Sequence, residues 1–355
     1  MKAASPGPHF EDFAVGDVLQ HPWPRTVSDG DSALYLALTG HRTPLAGNDL
    51  AARRCGLPRA PLEPMLVFHI VFGMSVPDVS HNAIANLGYA DVQFRQPVYP
   101  GDTLSASSAV IGVKANSDGT TGVVYVRTTG VNQHGAVVLS LARWVMVPKR
   151  DPQSASDVIS NRASITASDI PTMPEKIAME DLGQCLPTGL DLERFDPVWT
   201  GSQTRLDDLK PGTIIDHHFG TTIAEAEHMM AVRLFQNTAR VHVDATLTAD
   251  SRFGRRVAYG GHVISLAMAL SRYGMETLVW LVGIEAGRHT SPVFAEDTIY
   301  AWTEVLEVLA FAGRTDLAAL RLRLIAAKSR GAVMEGGGIP EETVLDMRYV
   351  ALIPQ

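Results

Sequence analysis

Cysteine is nearly absent: the 355 residues hold only Cys55 and Cys185, far apart and without a CxxC. Such a pair supports neither a disulfide framework nor a thiolate metal site, and it suits a reducing cytoplasm. A basic excess is lacking too. Lys and Arg number 30 against 38 Asp and Glu, a formal net charge of −8, whereas a chain built to grip a nucleic-acid backbone leans the other way. An anionic ligand therefore has to be met by a local group of arginines. Long apolar runs are missing: MLVFHIVFGM (65–74) ends well short of the ~18 residues of a membrane span. The opening MKAASPGPHF has no apolar core of signal-peptide length. There is no P-loop and no GxGxxG, and the 12 histidines show no HxxxH or HExxH spacing, so no metal site is expected. What is present is a globular composition, 46% hydrophobic and 19% charged, which rules out wholesale disorder. A cytoplasmic protein without nucleic-acid or membrane partners is expected.

The chain reads itself twice. Phe10-Glu11-Asp12-Phe13 with Val15-Gly16 is echoed by Leu206-Asp207-Asp208-Leu209 with Pro211-Gly212. Thr26-Val27 returns as Thr222-Ile223, Pro97-Val98 with Asp102-Thr103 as Pro292-Val293 with Asp297-Thr298, and Arg143-Trp144-Val145 as Arg348-Tyr349-Val350. Four matches in order at nearly one offset define two tandem copies, 1–150 and 201–355, joined by a Ser/Asp/Pro/Thr-rich linker over 151–200. The run Gly336-Gly337-Gly338 falls in an insertion without the strand and helix context of a phosphate cradle.

Each copy has one plan. A capping box opens the first helix, Ser28 with Asp31 and Thr222 with Glu225, and Ile223, Ala226, Met230 and Leu234 make one apolar stripe in the second copy. A nearly all-apolar helix follows, MLVFHIVFGM in one copy and HVISLAMALSRYG (262–274) in the other, and so little polar face predicts burial. Alternating strands complete the unit: 123–131 and 136–147 joined by a hairpin at 132–135, then 298–308 and 317–327. The fold class is α+β, strands wrapped round a buried helix and made twice. Pairing the two sheets would remove one exposed edge from each.

The segment after each first helix differs between copies: Thr39-Gly40-His41-Arg42-Thr43-Pro44-Leu45-Ala46, against Phe235-Gln236-Asn237-Thr238-Ala239-Arg240-Val241-His242-Val243-Asp244. Here the sequence resembles the MaoC-like, (R)-specific enoyl-CoA hydratase family of hot-dog fold, whose loop reads Gly-Asp-x-Asn-Pro-Leu-His-x-Asp. The segments QNTARVH (236–242), FGRRVAYGGHVISL (253–266), GRHTSPVFAEDT (287–298) and NLGYADVQFRQPVYPGDTL (86–104) are similar to its mesaconyl-CoA hydratase branch over nearly the whole chain. The resemblance implies a double hot-dog fold and a hydro-lyase that adds water reversibly to mesaconyl-CoA (2-methylfumaryl-CoA), giving β-methylmalyl-CoA. No cofactor is implied, coenzyme A being part of the substrate, and a homo-oligomer is compatible with it.

In that family a loop Asp and His activate water and a Gly N–H binds the thioester oxygen. The His falls on His242 in the second copy but on Ala46 in the first; the Asp falls on Asn237 and on His41; the Gly falls on Gly260 and on Pro64. Proline has no N–H to give, so the single site is expected in the second copy, with the first as scaffold and pocket wall. An imidazole can take and return a proton near neutral pH, and an N–H where a helix begins is a free donor in a positive field. Asn237 can orient water but not accept its proton. Either His242 performs both transfers or a carboxylate helps, Asp244 and Glu285 being the nearest candidates.

Other residues keep two readings. Gly260 and Gly261 could simply be a joint before the helix, and His41 more readily bonds locally. Arg252, Arg255 and Arg256, like Arg53, Arg54 and Arg59, are surface charges or partners of the coenzyme A phosphates. Tyr259, Trp280 and Trp302 read as core. Arg240, two residues before His242, is expected to hold the substrate's free carboxylate, with Arg288 or Arg42 as alternatives. A hot-dog thioesterase, a hydratase of itaconyl-CoA and a non-catalytic acyl-CoA binder remain as other readings of the same residues.

Overall fold

The structure, a computed structural model, describes residues 7–150, 170–202, 204–330 and 342–355. The Gly336-Gly337-Gly338 run and the first part of the linker lie outside these. In chain order the elements are β1 Val18–Gln20, β2 Arg25–Thr26, α1 Asp29–Thr39, α2 Asp49–Arg54, α3 Pro64–Val79, β3 Ala85–Phe94, β4 Thr103–Ala115, β5 Thr121–Val131 and β6 Val137–Pro148. After the linker helix α4 Met179–Gln184 come β7 Ile214–Thr222, α5 Glu225–Leu234, α6 Arg240–Val243, α7 Ala245–Ala249, α8 Gly260–Leu270, β8 Trp280–His289, β9 Thr298–Ala310, β10 Leu317–Ala327 and β11 Thr343–Pro354.

The strands form one antiparallel sheet in the order β1-β4-β5-β6-β3-β8-β11-β10-β9-β7, with β2 beside β4. The two halves meet where β3 pairs with β8, Tyr89 opposite Gly287 and Val92 opposite Ile284. Each half thereby loses one open edge, as the repeat suggests. The apolar helices α3 and α8 lie against the inner face and are buried almost from end to end, each fully buried Leu, Ile or Phe contributing about 1.5–3 kcal/mol. Alternate residues of β10 serve two cores: Ala318 and Leu320 face the helices, while Leu317 and Ala319 meet Ile177, Leu182 and Leu192 of the linker. The described part of the linker is therefore packed structure on the outer side of the second half.

Two local expectations change. The Ser28–Asp31 capping box forms, but Thr222 ends β7 and bonds Thr298 across to β9, so α5 starts at Glu225 with no side-chain cap. Nor does the Ala226–Met230 stripe face inward: both residues are exposed, and His228, Ala231 and Val232 are buried instead. The helix is rotated because His228 has a polar task inside. Its Nε2 accepts the Tyr259 backbone N–H at 2.9 Å and caps α8, whose own N-cap side chain makes no such bond.

Candidate active site

Between the halves lies a cavity of about 290 Å³. Phe72, Ser80, Asn86, Tyr89 and Arg143 wall it from the first half, and Asn237, His242, Tyr259, Gly260 and His289 from the second. Among the described residues its lining includes the cations Arg143 and Arg252 but no Asp or Glu. Such a wall favours an anionic guest.

Asn237 is delivered by a turn that the first copy's helix clamps. Gly73 of α3 rests on the Phe235 carbonyl, where any Cβ would collide. Gln236 takes the left-handed conformation, φ 55°, which stops α5. The Asn237 N–H then returns to the Val232 carbonyl at 2.9 Å, and its side-chain Oδ1 accepts from the Ala239 N–H at 3.1 Å. Asn237 is buried, and its Nδ2 has no partner, leaving two N–H donors beside the cavity.

His242 lies on the one-turn helix α6. Its Nδ1 is 2.8 Å from the Val257 carbonyl oxygen, and a carbonyl can only accept, so the ring proton resides on Nδ1 and Nε2 keeps its lone pair. Burial lowers its pKa to about 4, so near neutrality the ring is an unprotonated base. Gly260 is the first residue of α8, and the first helical bonds are those of the His262 and Val263 N–H groups to the Tyr259 carbonyl. The Gly260 N–H therefore precedes the intrahelical ladder, at the positive end of the helix dipole. A side chain at Gly260 would run into the His289 imidazole. His289 is lowered to about 4, by burial and then by the nearby His242, and its Nε2 is 3.4 Å from the Tyr89 hydroxyl.

Burial also lowers His217 and His262 to about 4 and His228 to about 3. Each of these rings binds a proton less readily folded than unfolded, where its value is ~6.5. Between pH ~6.5 and about 4 the unfolded chain takes up more protons, so stability present above that window drains away as the pH falls through it. Thermal melts should show Tm dropping steeply over this range. A Tm independent of pH across it would mean that these imidazoles are not buried uncharged.

Among the expected site residues, the cavity brings together His242, Asn237 and Gly260. Gly261 is not part of its lining: it is glycine because the Tyr259 ring lies over it. Arg288 is turned away, since its neighbour His289 faces the cavity and successive strand residues point oppositely; its side chain is 60% exposed and pairs with Asp346 at 3.1 Å. Arg240 pairs with Asp244 at 3.7 Å and lines an outer groove of about 560 Å³. That groove shares Ala83, Ile84, Val241, Arg252 and Phe253 with the inner cavity. Neither candidate carboxylate enters the cavity: Asp244 caps α7, and Glu285 is buried against Arg321 at 2.9 Å. Arg255 stacks on Phe294 and Arg256 pairs with Glu225. In the first half, His41 bonds Thr43 at 2.6 Å and Pro64 starts α3. Both are buried in packing away from the cavity. Tyr259, Trp280 and Trp302 are buried as expected, and Tyr259 is also cavity wall. Sequence reasoning missed His228, His289, Tyr89 and Arg143. His289 and Tyr89 lie inside the resembling segments 287–298 and 86–104, and Arg143 opens a repeat match, so each of the three carried a signal; His228 carried none.

Among the described residues no group of three or more His, Cys, Asp or Glu could hold a metal. No helix there is long and apolar enough to cross a membrane.

Two tandem sheet-and-helix units sharing one continuous sheet, with a histidine and a helix N-terminus facing a common cavity, define a double hot-dog protein of the MaoC-like class. The likeness to solved structures agrees. A MaoC domain protein from Chloroflexus aurantiacus superposes with a TM-score of 0.91 and 46% identity, over 100% of this chain and 99% of that one. A Mycobacterium tuberculosis protein described as having a double hotdog fold superposes with a TM-score of 0.73 and 25% identity, covering 98% and 99%. The family model described as mesaconyl-CoA hydratase matches residues 2–337, and the chain belongs to that family. A β-methylmalyl-CoA dehydratase of Chloroflexus aurantiacus is 48% identical over 99% of this chain and 98% of its own length.

Proposed function

We infer that this chain is a hydro-lyase that adds water reversibly to the double bond of mesaconyl-CoA, giving β-methylmalyl-CoA. One observation carries the reading: a neutral His242 with a free Nε2 lone pair and Gly260, at the start of its helix, line one cavity that holds arginines and, among the described residues, no carboxylate. The full-length likeness to a β-methylmalyl-CoA dehydratase supports the substrate.

The chemistry follows from the groups present. Asn237 Nδ2 donates to a water oxygen and His242 Nε2 accepts one of its protons as the oxygen attacks the β-carbon. The electron pair of the double bond moves toward the thioester, and the Gly260 N–H donates to the oxygen on which charge develops; a preorganised donor of this kind contributes about 3–4 kcal/mol to the transition state. The enolate then takes a proton at the α-carbon. His242 can return the one it received, and His289, on the same cavity wall, is the second imidazole able to do so. The net change is addition of one water without oxidation or reduction. An anionic substrate favours the imidazolium and raises the His242 pKa, toward the range where a proton is both taken and returned.

The coenzyme A arm leaves through the shared wall into the outer groove, where Arg240 and Arg252 meet its phosphates. Two unpaired cysteines support a cytoplasmic setting. A thioesterase would use a carboxylate as base or nucleophile beside the carbonyl, and none lines the cavity among the described residues. Incubating the protein with mesaconyl-CoA separates the readings. Loss of the conjugated double-bond absorbance is expected; release of free thiol instead would make the protein a hydrolase, and neither change would make it a binder. The same assay with itaconyl-CoA ranks that isomer.

A further inference from the structure

Arg143 is a buried charge on the cavity wall. It projects from β6 into the interior, fully buried, with its guanidinium carbon 4.1 Å from the centre of the Phe72 ring. One terminal nitrogen donates to the Ser75 hydroxyl at 2.8 Å and the other to Ser80 at 3.2 Å, while Nε has no partner. It takes part in no ion pair among the described residues, and Asp78, on the same helix as Ser75, is bonded to His21 at 2.9 Å. A buried charge without a counter-ion is costly, and a guanidinium has five donors in a fork that fits a carboxylate. The same cavity wall carries Asn86, opposite Val145 and so two residues along β6 from Arg143, and its amide nitrogen and oxygen both lack partners among the described residues.

Arg143 also faces the same cavity as the reacting groups. Tyr89 is its cross-strand partner, and the Tyr89 ring lies 5.7 Å from His289. The Phe72 ring beneath the guanidinium lies 5.7 Å from that of Tyr259, which in turn is 5.6 Å from His242. The cation and the base thus line one pocket with aromatic rings between them. Arg240, by contrast, opens onto the outer groove with a side chain 41% exposed and already paired.

We propose that Arg143, assisted by Asn86, binds the free carboxylate of the acyl substrate and is the residue that makes this cavity select dicarboxylic over simple enoyl thioesters. The inference rests on the hydratase reading of the same cavity. It assigns to the first copy, whose own acid–base positions are sealed, the recognition half of a site whose reacting groups come from the second.

The test compares kcat/KM for mesaconyl-CoA, its C4 methyl ester and crotonyl-CoA in the parent, Arg143→Gln and Arg143→Lys, with thermal melts to verify folding. Losing one partner of a desolvated charge pair predicts that Arg143→Gln loses at least about thirty-fold on mesaconyl-CoA, while crotonyl-CoA turnover stays within about threefold. Equal losses on both substrates, or no loss on mesaconyl-CoA, would overturn the proposal. If the glutamine variant does not fold, the parent must still prefer the acid to its ester by about thirty-fold or more, and Arg143→Lys, which cannot reproduce the fork, must shrink that preference severalfold. An unchanged preference would equally overturn it. A parent that leaves the double bond of every one of these thioesters intact would instead sink the hydratase reading, a result distinct from any of these.

Discussion

Replacing His242 by alanine is expected to lower kcat for mesaconyl-CoA hydration by at least about a hundredfold, within the ~10²–10⁴ typical of general-base removal. Little stability should be lost, because the side chain is half-buried at the cavity wall and its one bond is to the Val257 carbonyl. His242→Asn separates the two functions of the ring, since its amide nitrogen sits on Cγ as Nδ1 does. Its amide can still donate to Val257 but cannot take a proton, so it should fold like the parent and be as inactive as the alanine variant. His41→Ala is the companion control: that imidazole is sealed in the first half, and its loss should reduce turnover by less than a tenth as much while costing stability. A fall of under tenfold for His242→Ala would place the base elsewhere, with His289 the next imidazole to test.

The second large effect is expected at Gly260. Proline is well suited to the first position of a helix, and the first half shows it there, with Pro64 opening α3. Tyr259, at φ −64° and ψ 120°, already has the extended conformation that a following proline requires. Gly260→Pro should therefore preserve α8 while deleting the N–H aimed at the thioester oxygen. Loss of one such donor typically costs about 10²–10³ in kcat. Any side chain at this position also pushes on His289, so Gly260→Ala, which adds a Cβ but keeps the N–H, measures that crowding alone. The proline variant should be slower than the alanine variant by at least about tenfold. Equal rates in the two would mean that crowding of His289 explains the whole defect and that the oxyanion is bound by another group.

The family resemblance pointed to His242, Asn237 and Gly260, which the structure brings to one cavity, and comparing the two copies showed which half matches the motif. Where one copy has His242 and Gly260 and the other has Ala46 and Pro64, the chemistry missing from one half points to the other. The near miss at Arg288 has a simple geometric origin. Along a strand, neighbours face opposite sides, so choosing Arg288 in place of His289 exchanged a cavity group for one paired with Asp346 on the far face. Glu285, a helper candidate by proximity in sequence, is likewise on β8 but committed to Arg321. The stripe through Ala226 and Met230 failed for another reason. Hydrophobicity alone cannot anticipate that a histidine will be turned inward to cap a different helix.

The sequence by itself determined the duplication, the α+β architecture and the two buried helices. All of these depend on local pattern: helical and strand periodicity, turn residues and the recurrence of short motifs. The tertiary structure alone decided which charges enter the cavity. Arg143 and Arg348 occupy matching places in the repeat, yet Arg143 is fully buried over Phe72 while Arg348 is only half-buried between the core residues Met347 and Tyr349. That difference comes from strand register and from joining the halves through β3 and β8, which sets β6 of one copy beside the histidines of the other. No window of sequence contains both sides of that contact, so the pairing of a first-half cation with a second-half base exists only once the sheet has closed.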